Sequence, residues 1–143
     1  MNIRHTGIYV RNIERMINFY CELFELEIVS HEIEEGSFTD AIFQADNMHI
    51  DVCKLRFHEG QLLELIHCMS MEDSRKDEHV QKIYEYGKMH VAVTVPSADA
   101  LYERLILMQG IPLSRPCVNP NGTAKVFFAR DPEDNYLEIV EEI

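Results

Sequence analysis

A chain of 143 residues, 46% of them apolar, has the length of one compact domain and enough hydrophobic surface to bury a core. Its 13 Lys+Arg against 25 Asp+Glu leave a net charge of -12, which opposes the counterion release behind nucleic-acid affinity and opposes anionic membrane surfaces, so neither partner is expected. No apolar run has the length of a membrane span and no signal-peptide layout opens the chain; a cytoplasmic protein with a small-molecule partner is expected.

Residues 4–10 alternate, with Thr6, Ile8 and Val10 on one face and His5, Gly7 and Tyr9 on the other, as a half-buried strand does. Ile13, Met16, Ile17, Tyr20, Leu23 and Phe24 then recur at helical spacing behind Asn12, a natural N-cap. Glu27 to Ile33 reads as a second strand. "SFTDAIF" is either a short helix capped by Ser37 or a loop with apolar anchors, and the helix is favoured. His49 to Phe57 alternates as a third strand and turns at "HEGQ" into a fourth, "LLELIHC". The unit is β-α-β-β-β.

The polar segment "SMEDSRKDEHVQKIYEYG", residues 70–87, reads as a linker with a helical stretch near its end. Beyond it the plan repeats. Val91, Val93 and Val95 alternate with His90, Ala92 and Thr94; Ser97 caps a helix carrying Ala98, Leu101, Leu105 and Met108; Gly110 ends it. Strands follow at Pro112 to Pro116, Lys125 to Arg130 and Tyr136 to Glu141, the last two joined by the turn "DPEDN". A shift of 85 residues lays His5 on His90, Ile8 on Val93, Val10 on Val95 and Asn12 on Ser97. The expectation is therefore an α+β chain forming a single domain, 1–143, of two tandem βαβββ modules, about 1–69 and 88–143. Glu25 falls where the second copy has Gly110; if both are left-handed, Glu25 carries about 1 kcal/mol of backbone strain. Cys21, Cys53, Cys68 and Cys117 include no C-x-x-C pair and read as free thiols.

Each module also ends on a matching strand, "LLELI" and "YLEIV", so Glu64 answers Glu138. A carboxylate within an apolar strand is costly unless it is paired or bound to a metal. Strand parity sets His5 beside Gly7 and His90 beside Ala92, away from the branched aliphatics that face the helices. If the modules curl into facing half-barrels, two imidazoles and two carboxylates converge as a mixed nitrogen and oxygen site for a divalent first-row metal. A single strand histidine is ordinarily a core or edge residue, and His31, His49, His58, His67 and His79 keep that reading. Recurrence separates the four.

With these residues in place, the chain resembles the vicinal oxygen chelate superfamily, which includes glyoxalase I, bleomycin-resistance proteins, methylmalonyl-CoA epimerase, fosfomycin-resistance enzymes and extradiol dioxygenases. "HTGIYVRNIERMINFYCELFEL", "LLELI", "GKMHVAVTV" and "DPEDNYLEIVE" carry the likeness. The resemblance implies a cup of paired mixed sheets, formed within one chain or between two, and commonly a homodimer. It implies one divalent ion, Ni, Co, Zn, Mn or Fe, held by His5, Glu64, His90 and Glu138, an order similar to bacterial glyoxalase I. It further implies lyase or isomerase chemistry on a substrate with adjacent oxygens, Glu138 acting as base and Glu64 as the second candidate, and no residue is assigned to an organic cofactor. Epimerases resemble the chain but carry Gln at the position of Glu64. A methylmalonyl-CoA epimerase-like or thiol transferase enzyme and a bleomycin-resistance-type binding protein are the alternatives. The groups that hold glutathione in bacterial glyoxalase I are replaced here by Tyr9 and by Leu65 to Cys68. Arg11, Arg115, Lys125 and Arg130 are the cations weighed against an anionic substrate, and residues 37–46, with Phe38 and Phe43, are a candidate lid.

Overall fold

The computed structural model describes residues 1–70 and 82–143, in two compact units, Met1–Lys76 and Asp77–Ile143. The class is α+β. The first unit runs β1 (Thr6–Tyr9), α1 (Ile13–Phe24), β2 (Glu27–Glu35), α2 (Ser37–Phe43), β3 (His49–Arg56) and β4 (Leu62–Cys68). Its sheet has the order β1-β4-β3-β2, with β1 parallel to β4 and the other pairs antiparallel.

Helix α1 starts where expected. Asn12 Oδ1 accepts a hydrogen bond from Arg15 N at 3.0 Å, filling one of the donors a helix N-terminus leaves open. Met16, Ile17, Tyr20 and Leu23 are buried on the stripe that packs over β3 and β4, whose Cys53, Leu55, Leu63 and Leu65 are buried in turn. Burial of such side chains, about 1.5–3 kcal/mol each, sets which strand face lies inward. The helix ends at Glu25 with φ 57°, the left-handed conformation anticipated for it. "SFTDAIF" is the helix α2, but its cap is Gly36 rather than Ser37. Gly36 has φ 94° and ψ -174°, a backbone state open to glycine and closed to most L-residues, so the chain enters the helix through glycine and Ser37 becomes its first residue.

The second unit runs β5 (His90–Thr94), α3 (Ala98–Leu107), β6 (Ile111–Pro112), β7 (Cys117–Val118), β8 (Ala124–Arg130) and β9 (Tyr136–Glu142). The order is β5-β9-β8-β6, with β7 also on β8 and β5 parallel to β9. Ser97 Oγ caps α3 by accepting from Ala100 N at 3.3 Å, and Ala98, Leu101 and Leu105 are its buried residues. Met108, expected on that face, is the C-cap. Where one strand was expected from Pro112 to Pro116 there are two short ladders, β6 and β7. Neither proline has an N–H to give, and Pro116 also restrains Arg115 before it, so pairing lapses between them.

The asymmetry between Glu25 and Gly110 also resolves differently from expectation. The left-handed residue in the second unit is Gln109, with φ 67°. Gly110 is needed for space: a Cβ there would lie 2.6 Å from Leu105 Cγ. The turn after β8 is tied by Asp131, which is fully buried. Its Oδ1 accepts from Glu133 N at 2.8 Å and Asn135 N at 2.9 Å, and its Oδ2 accepts from Asn135 Nδ2 at 2.9 Å. Of the linker expected over 70–87, residues 83–87 form turns where a helical stretch was expected, closed by Glu85 N donating to Lys82 O at 2.9 Å; residues 71–81 lie outside the described residues. All four cysteines are free. Among the described residues no helix is long and apolar enough to cross a membrane.

Gly110→Ala should lower the unfolding free energy by about 1–3 kcal/mol, because the added methyl displaces a fully buried leucine. Urea denaturation monitored by circular dichroism measures it, and an unchanged midpoint would contradict the packing described.

Candidate functional site

Both units build the same diagonal. In the first, parallel pairing sets Gly7 beside Glu64, antiparallel pairing sets Glu64 opposite Lys54, and Lys54 is opposite Ser30. The row Gly7, Glu64, Lys54, Ser30 thus crosses all four strands on the face away from α1. His5 precedes Gly7 by two residues and so shares its face. Its Nε2 lies 3.5 Å from Glu64 Oε1, with the side chains 32% and 12% exposed. Lys54 Nζ stands 3.5 Å from Glu64 Oε2. Beyond this row, Met48, Ile50, Val52 and Ile66 form a buried cluster, with Phe43, Ala45 and Cys68 packed on it.

In the second unit the row reads Ala92, Glu138, Phe128. His90, again two residues before the small residue, brings Nε2 to 3.0 Å from Glu138 Oε2. Its ring meets Phe128 edge-on, with centroids 5.5 Å apart and planes at 86°. Leu137 and Ile139 are fully buried on the helix side. Small residues at 7 and 92 leave the carboxylates room to meet imidazoles across the diagonal, a distance long side chains span.

Sequence reasoning named His5, Glu64, His90 and Glu138, and the structure brings them together two by two. Among the described residues no group of three or more His, Cys, Asp or Glu side chains is gathered at one point. Each pair offers one imidazole nitrogen and one carboxylate oxygen, donor types that suit a first-row divalent ion. His5 Nδ1 is buried without a hydrogen-bond partner, which costs about 1–3 kcal/mol if nothing else satisfies it. An imidazole facing a carboxylate with its second nitrogen unpaired is a donor set that a cation and its surroundings would complete, so these residues fit a metal.

Three of the remaining histidines are otherwise engaged, and His58 is exposed. His31 Nε2 is 2.8 Å from Asp51 Oδ1, His49 Nε2 is 2.8 Å from Glu35 Oε2, and His67 Nδ1 is 3.1 Å from the carbonyl of Val10. His79 lies outside the described residues. Of the cations considered for substrate, Lys125 is held by Asp99 at 2.7 Å and Arg130 by Asp134 at 2.6 Å. Phe38 of the candidate lid is 72% exposed, whereas Phe43 packs on the cluster beneath α2. A concavity of about 240 Å³ lies beside α2, lined by Glu35, Gly36, Asp40, Asn47, Met48 and His49, and includes none of the four. Lys54 was missed, although the alternation of "HIDVCKLRF" puts it on the inner face. Tyr9, on the same face, has its phenol raised above the usual value by partial burial and then by Cys68 and Glu64, so it remains a hydrogen-bond donor.

Residues 2–139 match the profile of the Glyoxalase/Bleomycin resistance protein/Dioxygenase superfamily. No curated protein matches the chain. Among solved structures, a glyoxalase family protein from Bacillus cereus is similar at 17% identity and TM-score 0.90, covering 100% of this chain and 95% of that one. The trypanothione-dependent glyoxalase I of Leishmania major is similar at 19% identity and TM-score 0.68, covering 99% and 87%. A fosfomycin resistance protein from Listeria monocytogenes, complexed with Mn(II) and 1S,2S-dihydroxypropylphosphonic acid, is similar at 11% identity and TM-score 0.62, covering 96% and 87%. At these identities the likeness is one of fold.

The parity that builds the first His–Glu pair is open to direct test. Cys53 alternates with Lys54 and is fully buried; burial, then neighbouring Cys21, Asp51 and Glu14, push its thiol up to about 11. At pH 8 only about one Cys53 in a thousand is thiolate. Iodoacetamide at that pH should alkylate exposed Cys117 and spare Cys53 until urea is added, as read by peptide mass spectrometry. Equal labelling in the folded protein would mean that β3 is slipped by one residue and that Lys54 faces the core.

Proposed function

The chain belongs to the Glyoxalase/Bleomycin resistance protein/Dioxygenase superfamily, and on that premise we propose a metal-dependent, glyoxalase-like enzyme that moves a proton on carbon beside a substrate carbonyl. The observation that supports it is the recurrence of one His–Glu diagonal in both units, at 3.5 Å and 3.0 Å. His5, Glu64, His90 and Glu138 would hold one divalent ion, drawn from one chain or from two copies in a homodimer. When bound, that ion supplies Lewis acidity, drawing electrons from the carbonyl and so acidifying the neighbouring carbon.

The two carboxylates are placed for different work. Glu64 lies between His5 and Lys54, with an ammonium fixed 3.5 Å from it. Glu138 meets His90 and stands opposite the ring of Phe128, and among the described residues no Lys or Arg pairs with it. Glu138 is therefore the base. Its oxygen takes the proton from carbon, the C–H electron pair stays with the substrate, and the same carboxylic acid returns the proton to the adjacent carbon while the hydroxyl proton of the first carbon passes to the neighbouring oxygen, giving an isomer with no net change of atoms. A lactoylglutathione lyase-like reaction is one instance; in a methylmalonyl-CoA epimerase-like reaction the proton would instead be restored to the same carbon from its opposite face by a second acid, and a thiol transferase would use the same ion. The residues at Tyr9 and Leu65 to Cys68 argue for a substrate other than the glutathione adduct.

His90→Ala should abolish tight binding of Ni²⁺ or Zn²⁺ in calorimetry while leaving the circular dichroism spectrum unchanged; wild-type affinity would show that the site is misplaced. Glu138→Gln should keep most metal binding yet lose about 10² to 10⁴ in exchange of the substrate's α-proton with deuterated solvent, the usual share of a general base. Glu64→Gln should be milder, and exchange that survives in the first variant but vanishes in the second would reverse the roles. Light scattering that shows only monomer at full metal occupancy would exclude a site shared between copies.

A further inference from the structure

We infer that Lys54 anchors a carboxylate of the substrate, carried a few bonds from the reacting carbonyl, and so determines which substrates this site accepts. The inference rests on the function proposed above and adds the charge and size of the molecule that the site takes.

Four observations carry it. First, Lys54 stands directly across the sheet from Glu64 and on the same face, so a group bound by its ammonium lies next to the half-site. Second, its side chain is 32% exposed, which leaves the head within reach of a ligand while the stem runs over the sheet. Third, its separation from Glu64, 3.5 Å, is longer than the roughly 2.7–2.9 Å of a strong charge-assisted hydrogen bond. The ammonium therefore has donors left to give, and among the described residues Glu64 is its ion-pair partner. Fourth, the fold does not require a cation in this row. The corresponding residue of the second unit is Phe128, opposite Glu138, and Ile50 and Val52 precede Lys54 on its own face, both buried. An aliphatic residue would satisfy the sheet, and a half-buried lysine in its place costs solvation that a ligand's charge offsets.

The surroundings define the ligand. Gly7, on the far side of Glu64 from Lys54, has no side chain to block the approach; Ser30 offers a hydroxyl opposite Lys54; Val52 and Ile66, one row on, supply an apolar wall. Glu32 and Glu34 lie on the same face but at the outer strand, the first exposed and the second partly buried, and Arg56 is exposed at the strand's end. Lys125 and Arg130 are committed to Asp99 and Asp134. The row therefore suits a small acid whose carboxylate reaches Lys54 while its adjacent oxygens face His5 and Glu64.

Two hydroxamates that differ only at the far end test this with binding alone. One ends in a carboxylate two carbons from the chelating oxygens and the other in the matching primary amide. Their affinities for the Zn²⁺-loaded protein, read by calorimetry, should favour the acid by about tenfold. Lys54→Met should erase that preference and leave the amide's affinity, the metal stoichiometry and the melting temperature unchanged, whereas Lys54→Arg should retain the preference. No preference in the wild type, or a preference that survives Lys54→Met, overturns the anchor. So does a Lys54→Met variant that loses melting temperature and binds both hydroxamates equally weakly, since Lys54 would then be only the structural partner of Glu64. Metal stoichiometry and the amide's affinity report on the proposed metal site by themselves: a wild type that binds metal and amide but not the acid preferentially sinks the anchor alone, and one that binds neither sinks both.

Discussion

The site depends on one pairing made twice, the parallel ladder between the first and last strands of each unit. Because β1 lies along β4 with Gly7 beside Glu64, and β5 along β9 with Ala92 beside Glu138, a histidine two residues earlier falls on the diagonal to the glutamate each time. Parallel neighbours need a long connection, and here α1, β2, α2 and β3 in one unit and α3, β6, β7 and β8 in the other supply it. The connection has its own consequence: it inserts β3 or β8 on the far side of the glutamate and so selects a third residue for the row, Lys54 or Phe128. A slip of one residue in either ladder would turn every one of these side chains to the opposite face.

What fixes the ladders is burial, and the polar pairs contribute little to it. Leu63 and Leu65 flank Glu64, Leu137 and Ile139 flank Glu138, and all four are at most 1% exposed. Each is a side chain of the kind whose burial stabilises by about 1.5–3 kcal/mol, against about 0–1 kcal/mol for a partly exposed ion pair. The aliphatic members choose the face; the glutamates follow from alternation. Chemistry on the polar face is in this sense carried by the apolar one.

Legibility from sequence follows the same division. Helix α1, its Asn12 cap, the alternation of β1, β3, β4 and β9 and the four pair residues were readable, since each is encoded by period or by a local side chain–backbone bond. Features set by backbone geometry were displaced by one residue: Ser37 gave way to Gly36 as the cap of α2, and Gly110 to Gln109 as the left-handed residue. In both places a glycine and a polar residue are adjacent, and composition alone does not say which conformational need the glycine meets. At Gly110 the need is contact with Leu105, which is tertiary. The strand expected over Pro112 to Pro116 gives way to two short ladders because its two prolines have no N–H to give. Lys54 went unremarked because lysine in a strand is ordinarily a surface charge; its interest appears only when Glu64 is seen across from it.

The departure from symmetry between the units bears on how one fold serves different reactions. Two copies of a unit with identical rows would present two equivalent carboxylates, and nothing would distinguish a fixed group from a mobile one. Lys54 opposite Glu64 and Phe128 opposite Glu138 remove that equivalence with a single position per unit. A carboxylate paired with an ammonium keeps a fixed counter-charge nearby, while Glu138, beside an aromatic ring, has only the His90 imidazole at hand among the described residues. Since the ladder geometry is set by leucines and isoleucines on the other face, the residues opposite the glutamates are not what fixes the ladders, and in the function proposed above the division of roles would reside in them. Function on such a scaffold is thus decided by few side chains over a core that does not register the change.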